Sequence, residues 1–168
     1  EKIVPDIAVP VSIDTFKAET AEAALAHGVS ILNDIWGLQY AAEPGRMAAV
    51  AARHQVPVIV MHNQAAKEYP DGLLHAMQAF FRESRRLADE AGLKPENLIL
   101  DPGIGFGKTP AANLLALKRL EELTAIDGYE YPMLLGTSRK SFIGAALGLP
   151  VEERLEATGA TCVLGILK

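Results

Sequence analysis

The amino-acid sequence predicts an α/β fold in which helices cover both faces of an all-parallel β-sheet. Five short, nearly continuous apolar runs alternate with segments whose apolar residues recur at helical spacing, as in repeated strand–helix units. We find no antiparallel hairpin signal between these runs. The spacing suits either a doubly wound sheet or a (β/α)8 barrel, although five strands are three short of a closed barrel.

The first half of the chain contains three of the predicted strands. In order, we predict a strand at 11–15, a helix at 17–27, a strand at 30–35, a helix at 44–55 and a strand at 56–62. Asp14 or Thr15 is suited to cap the first helix, and Gly28 ends it. Each of the three strands ends in polar residues, which predicts a polar edge of the sheet.

The second half continues the alternation. We predict a helix at 73–91, a strand at 97–100, a helix at 110–123, a strand at 131–136, a helix start at 137–141 and a last helix from about 151 to the C-terminus. The helix at 73–91 is the clearest, since apolar side chains recur at helical spacing and Gly92 follows it. Pro110 suits a first helical turn. Cys162 lies in an apolar helical pattern and is predicted to be buried packing rather than a nucleophile.

Composition predicts one globular domain over residues 1–168. The chain has 49% hydrophobic and 22% charged residues, which is too apolar for disorder. Its net charge of −5 and lack of a basic block argue against nucleic-acid binding. No apolar run is long enough for a bilayer, no signal peptide is recognised, and the single cysteine fits a reducing cytoplasm. Because the first residue is Glu1 rather than Met, we expect a processed chain or a piece of a longer protein.

A glycine-rich loop follows the strand that ends at Asp101. It is not a phosphate-binding P-loop, because Pro102 stands where that motif needs its first glycine and offers no backbone N–H. It also lacks the third glycine of a dinucleotide fingerprint, since Lys108 stands there. What remains is a tight turn directly after a carboxylate at the end of a strand.

Polar residues recur at the predicted strand ends and would gather on one rim of a parallel sheet. They are Asp14, Asn33, Asp34, His62, Asp101 and the group Ser138, Arg139 and Lys140. Each has a purely structural explanation as well, such as a helix cap for Asp14 or a hydrogen-bonded core histidine for His62. Burying several of them together costs free energy unless something hydrogen-bonds them. A polar ligand with several donors would do so.

Five segments in this order resemble the dihydropteroate synthase family of pterin-binding enzymes in the bacterial folate pathway. They are Ser12-Ile13-Asp14-Thr15, Asn33-Asp34-Ile35, Met61-His62, Asp101-Pro102-Gly103-Ile104-Gly105-Phe106-Gly107-Lys108-Thr109 and Gly136-Thr137-Ser138-Arg139-Lys140-Ser141. The fourth and fifth of these segments, around Asp101 and Lys140, carry most of the specificity. The resemblance extends from Val9 nearly to the end of the chain.

The resemblance implies a (β/α)8 barrel that joins para-aminobenzoate to 6-hydroxymethyl-7,8-dihydropterin diphosphate, with release of pyrophosphate. Asp14, Asn33, Asp101 and Lys140 would hold the pterin, and Ile35, Met61 and Gly136 would shape its slot. Phe106, Lys140 and Ser141 would flank the aminobenzoate. Asp101, Asp14 and Lys140 are the implied catalytic residues, the two carboxylates by stabilising positive charge on the ring. Family members use Mg²⁺, form homodimers and are sulfonamide targets.

The family pattern also contains parts with no counterpart in this sequence. The first two strands and the last strand of the barrel, which carry most of the pyrophosphate and metal contacts, are not found. The resemblance therefore implies an incomplete barrel, with Mg²⁺ ligands expected mainly from the N-terminal part and the substrate pyrophosphate. We expect the 168-residue chain alone to be weakly active or inactive.

Two other functions stay open on the sequence. One is methyl transfer from a reduced folate to a corrinoid by a related pterin-binding barrel, which the cationic Ser138-Arg139-Lys140-Ser141 segment disfavours. The other is a non-catalytic binding module, in which a partial barrel docks on other strands to cover its open edges.

Overall fold

A computed structural model describes residues 7–168 and confirms an α/β fold with a parallel sheet. The sheet has four strands in the order β1-β2-β3-β4, and each is followed by a helix. The strands are β1 (Ser12–Asp14), β2 (Ile31–Asp34), β3 (Val58–Met61) and β4 (Leu98–Asp101). The prediction of a processed chain or a piece of a longer protein rests on Glu1, which lies outside the described residues.

Six α-helices are present in the described residues. They are α1 (Ala18–Ala26), α2 (Arg46–His54), α3 (Leu73–Ala91), α4 (Pro110–Lys118), α5 (Ser141–Leu147) and α6 (Leu155–Ile166). Gly92, with a φ of 81°, ends α3 in the left-handed conformation. Thr109 Oγ1 accepts the backbone N–H of Ala112 at 3.2 Å and so caps α4. Within residues 7–168, none of the helices is both long and apolar enough to cross a membrane.

The core lies between one face of the sheet and the helices. Strand residues of one parity are wholly buried there, namely Leu32, Val58, Val60, Leu98 and Leu100. Met77 and Phe81 of α3 belong to the same cluster. Side chains of the other parity point to the opposite face, which leaves that face available to carry polar groups.

An antiparallel hairpin corrects the expectation that no such element is present. Strands β5 (Ala125–Ile126) and β6 (Tyr129–Glu130) pair antiparallel around Asp127 and Gly128. Both turn residues have positive φ angles, 50° and 81°, as a type I′ turn requires. The Asp-Gly dipeptide was the available signal, but strands this short give no alternating pattern.

The predicted fifth strand at 131–136 is reduced to a single parallel bridge beside β4. Leu100 pairs with Met133, and its N–H donates to Pro132 O at 2.9 Å while its carbonyl accepts from Leu134 N–H at 2.8 Å. The segment therefore runs parallel to β4, as predicted, but pairs with it at a single bridge instead of forming a strand. Pro132, which has no N–H, limits its pairing.

Two predicted helices are shorter than expected, and one burial prediction was wrong. The helix predicted to reach residue 123 leaves α geometry after Lys118 and finishes as the 3₁₀ turn Leu120–Leu123. The last helix is preceded by a 3₁₀ turn at Val151–Glu153. Cys162 is exposed, because α6 buries none of its residues against the described chain.

Candidate active site

The strand register places the predicted pterin-binding residues of the sheet on one face. Asp14 pairs with Asn33, Asn33 pairs with Ile59, and Met61 pairs with Asp101. Paired residues on neighbouring strands point to the same side, and neighbouring strands lie about 4.8 Å apart. Asp14, Asn33 and Asp101 therefore share the face opposite the helix-covered core, at the carboxyl edge of the sheet.

Asp34 does not belong to this face, which corrects its place on the predicted rim. Its side chain is fully buried, and its two oxygens accept the N–H groups of Trp36 at 2.9 Å and Leu38 at 2.8 Å. Burial raises the pKa of this carboxyl against the lowering effect of the two N–H donors. Asp34 stabilises the turn after β2, and Ile35, which was predicted to shape the pterin slot, lies in that turn and not in the strand.

Asn33 and Asp14 differ in how far their polar groups are satisfied. The side-chain oxygen of Asn33 is buried and accepts no hydrogen bond from the described residues. An unpaired buried acceptor costs about 1–3 kcal/mol, so a donor from a ligand would stabilise it. Asp14 is exposed at the end of β1. Asp14 is thus accessible to a bound molecule, and Asn33 holds a buried oxygen without a partner in the described residues.

Asp101 is the most enclosed of the three residues, with 7% of its surface exposed. Its Oδ1 accepts the N–H of Gly103 at 2.7 Å, which fixes the carboxylate against the start of the glycine-rich loop. Burial raises the pKa of Asp101, and the Gly103 N–H and the charges of Lys140 and Lys108 oppose that rise. The carboxylate keeps its other oxygen for a ligand.

Lys140 approaches Asp101 from the segment that precedes α5. Its Nζ donates to the carbonyl of Ile104 and lies 5.1 Å from the centre of the Phe106 ring, within cation–π range. A β-carbon on Gly105 would lie 3.2 Å from Lys140 Cδ, and one on Gly136 would lie 3.7 Å from Nζ. The two glycines leave the space through which this side chain reaches the loop.

Burial and neighbouring charge act in opposite directions on Lys140. Burial lowers the pKa of its ammonium, and the Asp101 carboxylate raises it. Phe106 is 38% exposed, and Ser141 is exposed as the first residue of α5. The predicted aminobenzoate residues Phe106, Lys140 and Ser141 therefore lie on the loop and helix start that border Asp101.

The segment that carries Lys140 is held by an arginine directly before α6, to which no role was assigned from the sequence. The Arg154 guanidinium donates to Leu149 O at 3.0 Å and to Arg139 O at 3.1 Å. It lies over Gly144, where a β-carbon would meet Nη2 at 2.2 Å. The only sequence signal was that Arg154 lies within the region of family resemblance.

His62 supports the loop from below instead of facing the rim. It is buried, its Nδ1 lies 2.8 Å from Lys108 Nζ, and its ring meets that of Phe80 edge-on at 5.1 Å. Burial, with the nearby Lys108 charge, lowers the pKa of His62 to about 3. The core-histidine explanation is therefore the one that the geometry supports.

Two further residues of the loop's support were missed. Asn113 of α4 accepts the Gly105 N–H at 2.7 Å, and the Tyr69 hydroxyl donates to Gly107 O at 2.6 Å. Burial raises the pKa of Tyr69 to about 12, so it stays a donor. Neither residue lies in a motif, and their distance along the chain from the loop gave no signal.

The described residues do not form a metal site by themselves. No group of at least three His, Cys, Asp or Glu side chains converges anywhere in residues 7–168. Asp14 and Asp101 lie on strands at opposite edges of the four-stranded sheet. The donor set therefore does not fit a protein-held Mg²⁺, and we derive no chemical step through the metal.

Comparison with known proteins identifies relatives of similar sequence and fold. A dihydropteroate synthase of Bacillus subtilis is 50% identical over 168 residues, which cover 100% of this chain and 56% of that protein. The crystal structure of a Clostridium difficile dihydropteroate synthase, determined in the presence of pteroic acid, has a TM-score of 0.91 and 44% identity, covering 98% of this chain and 60% of that one. The Thermus thermophilus enzyme in complex with 6HMPPP has a TM-score of 0.84 and 41% identity, covering 95% and 61%.

The chain thus spans less than two thirds of the length of each of these relatives. The sequence model of a family described as "Pterin binding enzyme" matches residues 1–168. The match includes every strand and loop that carries a site residue, and we conclude that the chain belongs to the pterin-binding enzyme family.

Proposed function

We propose that this chain is the pterin-binding part of a dihydropteroate synthase. The observation that carries the proposal is the register that sets Asp14, Asn33 and Asp101 on one sheet face, with the Lys140 ammonium near Asp101. The synthase names of the relatives support it. In this proposal residues 1–168 form one domain, an incomplete (β/α)8 barrel.

The available donors and acceptors match the edge of a pterin ring. Its amide and amino groups donate, and the carboxylates of Asp14 and Asp101 and the unpartnered oxygen of Asn33 accept. The ring nitrogen and oxygen acceptors are served by Lys140. Ile35, Met61 and Gly136 then bound the slot with apolar surface and free space. Charge-assisted contacts of this kind contribute about 1.5–3 kcal/mol each.

The proposed reaction breaks the bond between the pterin methylene carbon and the diphosphate oxygen. The bonding electron pair leaves with pyrophosphate, and positive charge spreads from the methylene onto the ring. The para-aminobenzoate nitrogen attacks the methylene, forms the C–N bond and releases a proton to solvent or to the leaving group. Asp101 and Asp14 stabilise the transient positive charge, so this proposal needs no protein nucleophile.

The aminobenzoate is placed against Phe106, Lys140 and Ser141. The Phe106 ring offers a partly exposed apolar face, and Lys140 offers a cation near that ring. Pteroic acid, present with the Clostridium difficile enzyme, contains a pterin and an aminobenzoate group joined through a methylene, which supports adjacent subsites.

Three further features are part of the proposal. Mg²⁺ would be held chiefly by the substrate diphosphate, since the described residues offer no cluster of their own. A homodimer and a cytoplasmic location are expected from the family and from the single cysteine. The methyltransferase and non-catalytic alternatives receive no support from the relatives, which are named synthases.

Calorimetric titration of the chain with a non-hydrolysable pterin tests the function. The wild type should bind, and Asp101→Asn should lose about 10- to 100-fold in affinity, because the amide replaces a charged acceptor. Asp71→Asn, an equal change at an exposed loop position, is the matched control and should bind as the wild type does.

Equal affinity of the wild type and Asp101→Asn would show that Asp101 does not bind the pterin, and the proposed function would then fail. A turnover assay with both substrates and Mg²⁺ on the same preparation then tests the expectation that the chain alone is weakly active or inactive. Tight binding of methyltetrahydrofolate without affinity for para-aminobenzoate would favour the methyltransferase instead.

A further inference from the structure

Lys108 places an ammonium group under the glycine-rich loop, in a site closed to solvent. The side chain is 4% exposed. Its Nζ lies 2.8 Å from His62 Nδ1, 3.1 Å from Gly103 O and 3.1 Å from Phe106 O. An ammonium has three donors, so these three acceptors satisfy it. This pattern requires His62 to carry its proton on Nε2.

A charged side chain in such a place is costly unless every donor is used. Burial lowers the pKa of Lys108 to about 7, and the nearby Asp101 carboxylate opposes that effect. The three short contacts compensate for the lost hydration. An uncharged side chain of the same length would fill this space equally well. What Lys108 adds is therefore the set of hydrogen bonds that its ammonium donates.

Those bonds join the two ends of the loop that borders the active site. Gly103 and Phe106 are already linked by the hydrogen bond from Phe106 N–H to Gly103 O at 3.0 Å. Lys108 binds the carbonyls of both residues and ties them to His62, beyond the end of β3. The turn is therefore fixed to the sheet and not only to itself.

The same turn carries the groups that surround Lys140. The carbonyl of Ile104 accepts the Lys140 ammonium, and the Phe106 ring lies 5.1 Å from it. Tyr69 and Asn113 hold Gly107 and Gly105, but neither contacts Gly103 or Phe106 in a hydrogen bond. Asp101 also holds Gly103 through its N–H, but among the described residues Lys108 supplies the side-chain hydrogen bond to Phe106, so displacing Lys108 would release the Phe106 carbonyl.

We propose that Lys108 is a positioning residue for the aminobenzoate side of the active site, acting through the loop Gly103–Gly107 and not by touching substrate. Its ammonium, bound to His62 Nδ1 and to the carbonyls of Gly103 and Phe106, holds Phe106 in place at the aminobenzoate side of the loop. The substrate named here rests on the proposed function, whereas the coupling between Lys108 and Phe106 does not.

A ligand-free experiment tests the coupling. The chain is labelled with 4-fluorophenylalanine, and the fluorine resonance of Phe106 is assigned with Phe106→Leu. In Lys108→Met, which keeps the length of the side chain and removes the ammonium, that resonance should shift or broaden. Lys118→Met, the same change at an exposed position of α4, should leave it unchanged. An unchanged Phe106 resonance in folded Lys108→Met overturns the proposal.

A measurement on the unaltered protein covers the case in which Lys108→Met does not fold. At about pH 5, below the pKa of about 7 for Lys108 and above the pKa of about 3 for His62, the ¹⁵N chemical shifts of the His62 ring should identify the neutral form with the proton on Nε2 and an acceptor at Nδ1. A proton on Nδ1 would mean that Lys108 does not donate there, and the proposal would fail.

Ligand titrations separate positioning from general damage. With the protein saturated by a non-hydrolysable pterin, Lys108→Met should weaken para-aminobenzoate binding by about tenfold or more, with pterin affinity within about threefold of the wild type. Equal weakening of both ligands contradicts a selective role. If the wild type binds neither ligand, the proposed function fails for this chain, and the fluorine and nitrogen measurements still decide the role of Lys108.

Discussion

A β-carbon at Gly103 would lie 2.0 Å from the carbonyl oxygen of His62. The start of the glycine-rich loop therefore rests directly on the chain that leaves β3, with no room for a side chain. Its φ of 62° is also in the left-handed region. The identity of residue 103 is set by contact as well as by conformation.

Gly103→Ala should lower the free energy of unfolding by at least about 2 kcal/mol, since overlap with backbone adds to left-handed strain. Denaturant unfolding measures this. Gly92→Ala is the matched control: it has a φ of 81° but nothing within 4 Å of the added carbon, so only the conformational cost of about 1–2 kcal/mol applies. Equal losses in the two variants would mean that the loop does not rest on His62.

Asn113→Ala should destabilise the loop around Gly105. The substitution removes two hydrogen bonds, the one accepted from Gly105 N–H at 2.7 Å and the one donated to Thr109 O at 3.0 Å, which at about 0.5–1.5 kcal/mol each cost about 1–3 kcal/mol together. Urea titration of the variant measures the loss. Asn97→Ala, which removes an exposed hydrogen bond to Gln55 O, should cost less than about 1 kcal/mol; a similar cost for both would count against the Asn113 contact.

Arg154→Met should weaken pterin binding from a distance. The variant loses the hydrogen bonds to Leu149 O and Arg139 O, so that Arg139, the residue before Lys140, keeps the bond from its N–H to Thr158 Oγ1 but loses the one at its carbonyl. We expect an affinity loss of about three- to tenfold, measured by calorimetry with a non-hydrolysable pterin. Arg46→Met, at a largely exposed arginine 3.9 Å from Glu43, is the control. Unchanged affinity in Arg154→Met would show that the Arg154 guanidinium does not position Lys140.

The pKa of His62 predicts a specific loss of stability in acid. The value is about 3 in the folded chain against 6.5 for an unperturbed imidazole, so between these pH values the unfolded chain binds more protons. Stability should therefore fall as pH falls from 6.5 to 3, by up to about 1.4 kcal/mol per pH unit from this group.

His62→Asn isolates this contribution. Its amide oxygen replaces Nδ1 as an acceptor for Lys108 and does not titrate. Denaturant unfolding from pH 6.5 to 3 should give a shallower pH dependence for the variant, whatever its overall stability. Parallel curves for wild type and variant would mean that His62 is not held neutral by burial.

The site residues on the strands were predictable because parallel pairing and side-chain alternation act over short stretches of sequence. Asp14, Asn33 and Asp101 end apolar runs, and parallel strands bring such ends to one edge. The same alternation separates Asn33 from Asp34, whose adjacency in sequence placed both on the rim in the prediction. Counting parity along β2 would have distinguished them.

The supports of the loop were beyond sequence reasoning for a different reason. Lys108 meets His62 across 46 positions, and Tyr69 meets Gly107 across 38. Such contacts depend on how α3, α4 and the sheet pack, which no local pattern reports. The hairpin around Asp127 was not predicted for another reason, because strands of two residues are too short to show alternation.

The register of the sheet also determines where the chain tolerates changes in length. One residue inserted within β2 would exchange Asn33 for a neighbour of opposite parity and remove its oxygen from the binding face. The turns that lead into the amino ends of the strands, such as Gly28 after α1 and Gly92 after α3, lie away from the carboxyl ends that carry these residues. Loop grafts and domain insertions are therefore best directed to those turns, where the chain can lengthen while the spacing between Asp14, Asn33 and Asp101 is preserved.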